Sequence, residues 1–343
     1  MPRPNSKPAI VVGVDGSDNG LRALDWAIDE AARRGVRVRM VHAYQRTGVR
    51  HHLSPQANMS QMYDEGREVF TAARAHLAGG RNAGRVVGTA LYEGPASEVL
   101  IDASNRSPLC VVGRRGRGRL ASRVLGSTST TLVAKSAIPL VVVPPEWVPG
   151  QDKGRHVLVG VDIPPHDIGP LDFAFAAARQ ASAPLVVLCA WDLGASASRG
   201  VRSALGDVLG EILAPWRARF ADVDVTVVVE HTHPAPALVA HAEHARLLVL
   251  GTSTRPPRPR SSLTARPASH FGDRQGGAVA RAVLCDAAVP VAVVPAPCAV
   301  APGALGQDGV TQEAFHRTDP LAQRAGYFAR TSLSRSTNAS ESS

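Results

Sequence analysis

At 343 residues, with 44% hydrophobic against 20% charged side chains, the chain is long enough for two domains of about 150 residues and apolar enough to bury cores, which excludes a wholly disordered protein. The net charge of +9 admits nucleic acid, a membrane surface or a phosphorylated small molecule as partner, but aromatic residues make up only 4%, too few for the stacking platforms of a single-strand binder. The four cysteines form no C-x-x-C pair and read as reduced and mostly core, Cys110, Cys189 and Cys285 in apolar contexts and Cys298 near the end of the folded part.

Met1 to Pro8 is polar, and neither an apolar signal region nor a run of membrane-spanning length follows, so the expectation is a cytoplasmic protein with no membrane partner. Strands are then expected at about Ala9–Val14, Arg37–Ala43, Arg85–Tyr92, Leu109–Val112 and Leu140–Val143, with amphipathic helices between them. The first helix follows a Ser17/Asp18 cap, with Leu21, Leu24, Ala27, Ile28 and Ala31 at helical spacing. Trp147 to Gly154, rich in Pro and Gly, reads as a linker.

Beyond the linker the pattern begins again. His156-Val-Leu-Val-Gly-Val-Asp162 echoes Ala9-Ile-Val-Val-Gly-Val-Asp15, and Ala288-Val-Pro-Val-Ala-Val-Val-Pro295 echoes Ala137-Ile-Pro-Leu-Val-Val-Val-Pro144. Strands are expected at about His156–Val161, Leu185–Ala190, Asp224–Val229, Leu247–Leu250 and Val291–Val294. Strands alternating with helices give an α/β chain of two tandem doubly wound domains, 8–146 and 154–297, each a five-stranded parallel sheet flanked by helices. The polar stretch 298–343 reads as a disordered tail.

The segment after the fourth strand carries the chemistry. Gly113, Gly116 and Gly118 free the backbone to approach an anion, and Arg114, Arg115, Arg117, Arg119 and Arg123 raise the local positive potential. A helix then begins at Ser127-Thr128, after Gly126, offering unpaired N–H groups and two hydroxyls at its positive end. With strand order 3-2-1-4-5, strands one and four are neighbours at the switch point, and Asp15 opens into the same crevice as Gly113. A phosphate-bearing small ligand fits this pattern better than nucleic acid. Gly116-x-Gly118-x-x-Ala121 is a poor dinucleotide fingerprint because it follows the fourth strand and lacks the distal acid, and the chain has no P-loop.

Val12-Gly-Val-Asp-Gly-Ser17, together with Gly113-x2-Gly116-x9-Gly126-Ser127, resembles the ATP-binding branch of the universal stress protein family, in particular its tandem-domain members, over about Pro8 to Pro297. The resemblance implies that Asp15, just after Gly13, contacts the nucleoside and that Ala43 offers backbone to the adenine. It further implies that Gly113, Gly116, Gly126 and Ser127 hold ribose and phosphates, with Thr128 and the loop arginines Arg114, Arg115, Arg117 and Arg119 around them. The implied ligand is an adenine nucleotide, ATP with or without Mg. The implied partner is a second copy, as a homodimer or as an intramolecular pseudo-dimer built on the apolar final strands.

The second copy departs from this pattern. It keeps Asp162, but Gly16-Ser17 becomes Ile163-Pro164, the Gly116 position becomes Thr254, and the Ser127 position becomes Ala278. Gly113 to Gly126 spans 13 positions, whereas Gly251 to Gly277 spans 26 and includes an insertion, 255–274, rich in arginine and proline. Prolines remove donors and freedom from a phosphate loop, so the second copy is expected to bind ATP weakly or not at all. The pairs His231-x-His233 and His241-x-x-His244 lack a completed ligand shell and read as surface histidines. No nucleophile-plus-base constellation stands out, so at most slow ATP hydrolysis is expected. Two alternatives stay open: an interaction protein with a vestigial site, and a polyanion binder using the arginine loops.

Overall fold

Ile10, Val11 and Val12 are all fully buried, yet they serve two different cores. Alternation along β1 (Ala9–Gly13) sends Ile10 and Val12 to one face of a sheet and Val11 to the other, so a strand covered on both faces reads as a continuous apolar run. A computed structural model describes residues 8–45, 55–79, 87–115, 124–151, 155–162, 168–191, 199–252 and 277–295. The 298–343 tail, the 255–274 insertion and the predicted site residues Gly116, Arg117, Gly118 and Arg119 lie outside the described residues.

After β1 come α1 (Asp18–Arg34), β2 (Arg37–Tyr44), α2 (Pro55–Ala78), β3 (Val87–Glu93), α3 (Ala96–Ser104), β4 (Cys110–Gly113), α4 (Ser127–Lys135) and β5 (Leu140–Val143). The second domain repeats the order as β6 (His156–Gly160), α5 (Gly169–Ala181), β7 (Leu185–Trp191), α6 (Arg199–Arg219), β8 (Val225–His231), α7 (Pro234–Ala242), β9 (Ala245–Gly251), α8 (Ala278–Asp286) and β10 (Val291–Val294). The expected α/β architecture is present in both halves, with order β3-β2-β1-β4-β5 in the first and its repeat β8-β7-β6-β9-β10 in the second. Strand pairing inside each domain is parallel. The fourth strand is shifted by one residue, Cys110–Gly113 rather than Leu109–Val112, and the expected start of the third, Arg85, lies outside the described residues.

Local chemistry sets α1. Ser17 Oγ accepts from the Gly20 amide at 3.1 Å as the N-cap, and Gly35, at φ 66°, ends the helix by donating back to the Ala31 carbonyl. Leu24, Ala27, Ile28 and Ala31 form its buried face, and burial of the two larger ones contributes about 1.5–3 kcal/mol each. Residues of α1, α2, α5 and α6 pack on one face of the sheet, among them Leu24, Phe70, Phe175 and Trp216. Leu100, Leu132, Leu238 and Val283, from α3, α4, α7 and α8, pack on the other.

The two domains meet strand to strand. β10 pairs antiparallel with β5, Ala292 opposite Val141, and joins the halves into one ten-stranded sheet. Every residue of both strands is buried, so their edges cover each other within one chain. A homodimer through these same edges has no unpaired strand left to use, and the outer edges of the sheet are β3 and β8. Two polar contacts flank the junction. The Arg34 guanidinium lies 5.2 Å from the Phe173 ring centre while its Nε, with that of Arg33, pairs with buried Glu30. Arg114 makes the other contact. Trp147, the first residue of the expected linker, is buried in the core.

Candidate functional site

A cleft of about 500 Å³ opens at the carboxyl ends of β1, β2 and β4, where the strand order reverses. One wall is the turn from β1 into α1. Asp15 Oδ1 accepts from the Ser17 amide (3.0 Å) and the Ser17 hydroxyl (2.6 Å), which fixes the carboxylate and leaves Oδ2 without a partner among the described residues. Gly16, at φ 80°, lets the chain reverse there. Gly20 faces the same carboxylate, and a Cβ on it would lie 2.8 Å from Asp15 Oδ1.

The opposite wall is the start of α4. Gly126 is its N-cap in extended geometry with no side-chain cap, and the helical ladder begins only with Thr130 N to Gly126 O at 2.9 Å. The amides of Ser127, Thr128 and Ser129 are therefore the unpaired donors of the first turn, at the positive end of the dipole. Ser129 Oγ donates to the Gly113 carbonyl at 2.9 Å and ties this turn to the end of β4. Val41, His42 and Ala43 at the end of β2, with Leu100, Val112 and Leu125, supply the less polar lining. His42 Nδ1 lies 2.7 Å from the Val14 carbonyl and donates to it, which fixes the ring at the end of β2.

Of the predicted site residues, Gly13, Asp15, Ala43, Gly113, Arg115, Gly126, Ser127 and Thr128 line this cleft. Arg115 also spans the base of the loop, its Nε donating to the Val124 carbonyl at 2.9 Å. Arg114 does not join them. Its side chain is 3% exposed and runs into the second domain, where the Cys285 and Ala287 carbonyls accept from it, with the Glu146 carboxylate alongside. Burial pulls its pKa below the ordinary arginine value and Glu146 opposes that.

Two glycines of the cleft lining also meet close packing neighbours. A Cβ on Gly113 would lie 2.9 Å from both Nδ2 and the carbonyl oxygen of Asn19 in the first turn of α1. One on Gly13 would lie 2.9 Å from Leu100 of α3. The second domain repeats both contacts, Gly251 against Pro170 at 3.0 Å and Gly160 against Leu238 at 2.8 Å; the constraint is firm at Gly113, which meets Asn19 backbone, and softer at Gly13 and Gly160, which meet leucine methyls. Gly126 differs. A Cβ there would meet nothing closer than the Arg114 carbonyl at 3.4 Å, and its φ of −64° suits any residue.

Sequence reading missed Gly20, His42, Leu100, Leu125 and Ser129. Leu125 and Ser129 sit inside or beside the glycine motif and His42 beside Ala43, so adjacency would have found them; Leu100 comes from a helix distant in sequence and carries no such signal. In the second domain, α8 follows Gly277 with Ala278, Val279 and Ala280, which lack the hydroxyls of Ser127, Thr128 and Ser129. Cys189 stands where the first domain has His42, and burial, with Asp162 nearby, pushes its thiol up to about 12. No group of three or more metal-ligating side chains is assembled among the described residues.

The sequence profile of the universal stress protein family matches residues 8–144 and again 154–295. The chain belongs to this family. A universal stress protein of Mycolicibacterium smegmatis is 32% identical over 256 residues, 72% of this chain and 87% of its own length. One of Mycobacterium tuberculosis is 30% identical over 304 residues, 85% of this chain and 99% of its own. A crystal structure of a universal stress protein from Archaeoglobus fulgidus superposes with a TM-score of 0.61 at 18% identity, covering 84% of this chain and 98% of that one, and shows the shared fold. In this universal stress protein no described helix is long and apolar enough to cross a membrane.

Proposed function

We propose that the first domain binds an adenine nucleotide, ATP in the first instance, and that the protein acts as a stress-response regulator through what occupancy does to its conformation or association. The observation that carries this is one crevice holding complementary groups on facing walls. The Asp15 carboxylate, with an acceptor to spare, suits ribose hydroxyls or a base amine, and the uncapped start of α4 suits phosphate. A cleft of about 500 Å³ lies within the range of about 300–1,000 Å³ common to small-ligand sites. Val41, Leu100 and Val112 give an apolar surface for a base, and Gly126 leaves the α4 amides open to close approach by oxygen. The Ser127 and Thr128 hydroxyls would offer oxygen ligands to a Mg accompanying the phosphates, whose own oxygens supply much of such an ion's coordination.

The second domain is proposed as partner surface. Its equivalent helix start has alanine and valine for hydroxyl residues, so its contribution to phosphate binding is confined to backbone. Titration calorimetry with ATP tests both parts. The expected result is about one equivalent per chain, and at roughly 100-fold excess over Kd about 2.7 kcal/mol of added stability, read as a rise in melting temperature. Absence of both heat and melting shift would refute nucleotide binding, and two equivalents would refute the asymmetry. Mass spectrometry of small molecules released from the purified chain distinguishes ATP from AMP, ADP and cyclic nucleotides.

A further inference from the structure

Arg114 directly follows β4, between two residues that line the cleft, yet its side chain leaves the first domain. Nη1 donates to the Ala287 carbonyl at 2.9 Å and to the Cys285 carbonyl at 3.2 Å, and Nη2 pairs with Glu146 Oε2 at 2.7 Å. Cys285 ends the last turn of α8 with Asp286, and Ala287 is the C-cap, so the guanidinium sits on the negative end of a helix in the other domain. Its Nε is buried with no partner among the described residues, which leaves these contacts to offset the whole burial of the charge.

The backbone of the same residue frames the cleft. The Arg114 amide donates to the Val143 carbonyl at 2.8 Å, and its carbonyl accepts from the Gly126 amide at 2.9 Å, the N-cap of α4. One residue thus hydrogen-bonds to β5, to the α4 N-cap and to the α8 C-terminus. At the equivalent position the second domain has Thr252, whose amide repeats the strand contact, to Val294 at 3.1 Å, but whose side chain is too short to make the reach of an arginine.

We infer that Arg114 is a positioning residue that makes the second domain part of the first domain's nucleotide site, α8 holding the Gly126 turn in binding geometry and sensing its occupancy in return. The inference rests on the nucleotide reading above. Occupancy engages the Ser127 and Thr128 amides beside Gly126. Gly126 is bonded to the Arg114 carbonyl, and that backbone cannot shift without straining the three contacts that clamp its side chain. Coupling of this kind is reciprocal: what the α8 end contributes to nucleotide affinity, the nucleotide returns as rigidity at the α8 end.

The test uses the full chain, with ATP as probe, and compares wild type, Arg114→Ala and Glu146→Gln by calorimetry and amide hydrogen exchange. In wild type, ATP is expected to slow exchange both at residues 126–130 and at residues 283–288. Arg114→Ala is expected to weaken ATP about tenfold, within the roughly 5- to 150-fold range of coupled sites, and at saturating ATP to keep the protection at 126–130 while losing it at 283–288. A purely structural role would not separate the two protected regions. Glu146→Gln retains an acceptor and drops the charge, so it keeps the fold measurable should Arg114→Ala unfold, and it shifts affinity in the same direction by a smaller factor. Wild-type ATP affinity in the variants, or unchanged protection at 283–288, overturns the inference while leaving the nucleotide reading intact. Failure of the wild-type chain to bind ATP overturns both.

Discussion

Replacing Gly113 and Gly126 separately by alanine distinguishes a glycine kept for packing from one kept for a ligand. At Gly113 the new methyl would sit 2.9 Å from backbone and side-chain atoms of Asn19, so the first turn of α1 must move. Overpacking of that kind costs about 1–3 kcal/mol, and reduced freedom of the unfolded chain returns about 0.4–1 kcal/mol. The net loss of about 1–2 kcal/mol lowers the melting temperature by about 2–8 °C at roughly 2–4 °C per kcal/mol. At Gly126 the nearest atom is a carbonyl oxygen at 3.4 Å and φ is −64°, so the same unfolded-state gain is set against the weaker N-cap preference of alanine. The two nearly cancel, and the melting temperature stays within about 2 °C. The methyl nevertheless enters the lining of the cleft, where an ATP affinity loss of at least about tenfold, or about 1.4 kcal/mol, is expected. Differential scanning calorimetry and ATP titration of both variants read the two effects independently. A fully stable Gly113→Ala would refute the packing assignment, and unchanged ATP affinity in Gly126→Ala would refute the ligand assignment.

Glu30 supplies a pH signature. Burial alone would raise its pKa, but the adjoining Arg34 and Arg33 outweigh burial and hold the carboxyl below its ordinary value of 4.5. Its contribution to stability is therefore full above about 4.5 and lost as pH falls through the lower folded value, so melting temperatures from pH 7 down to pH 3 should decline less steeply in Glu30→Gln than in wild type. Burial pushes the Cys110 and Cys189 thiols up to about 12, so in a Cys298→Ser background a thiol reagent at pH 8 should label Cys285 first and the other two only on unfolding; rapid native labelling of Cys110 would contradict its place in the core. Leu132→Ala, which empties a fully buried site beneath the α4 turn, should cost about 2–5 kcal/mol in denaturant unfolding, and a loss under 1 kcal/mol would contradict that packing.

The repeat, the strands and the α1 cap were legible from residues alone because each is a local pattern. Val11-Val12 and Leu140 to Val143 are continuous apolar runs, which strands buried on both faces require. Ser17 with Gly20 forms a cap whose partners are three residues apart. The asymmetry between Ser127-Thr128 and Ala278-Val279 is a comparison of aligned residues and needed no coordinates. Each of these interactions is completed within a few residues, so sequence spacing suffices to find it.

Tertiary structure decided what depends on residues far apart in the chain. That β5 and β10 pair with each other, and do so antiparallel, follows from how two folded sheets meet, on which an all-apolar strand carries no information. A glycine shows in sequence only that a side chain is missing, and the neighbour that would fill the space, Asn19 for Gly113 and Leu100 for Gly13, is contributed by another element. An arginine in a glycine-rich loop carries its charge without its direction: Arg115 lines the cleft, whereas Arg114 is drawn into the second domain by carbonyls more than 170 positions away, since a buried guanidinium goes where acceptors can satisfy it.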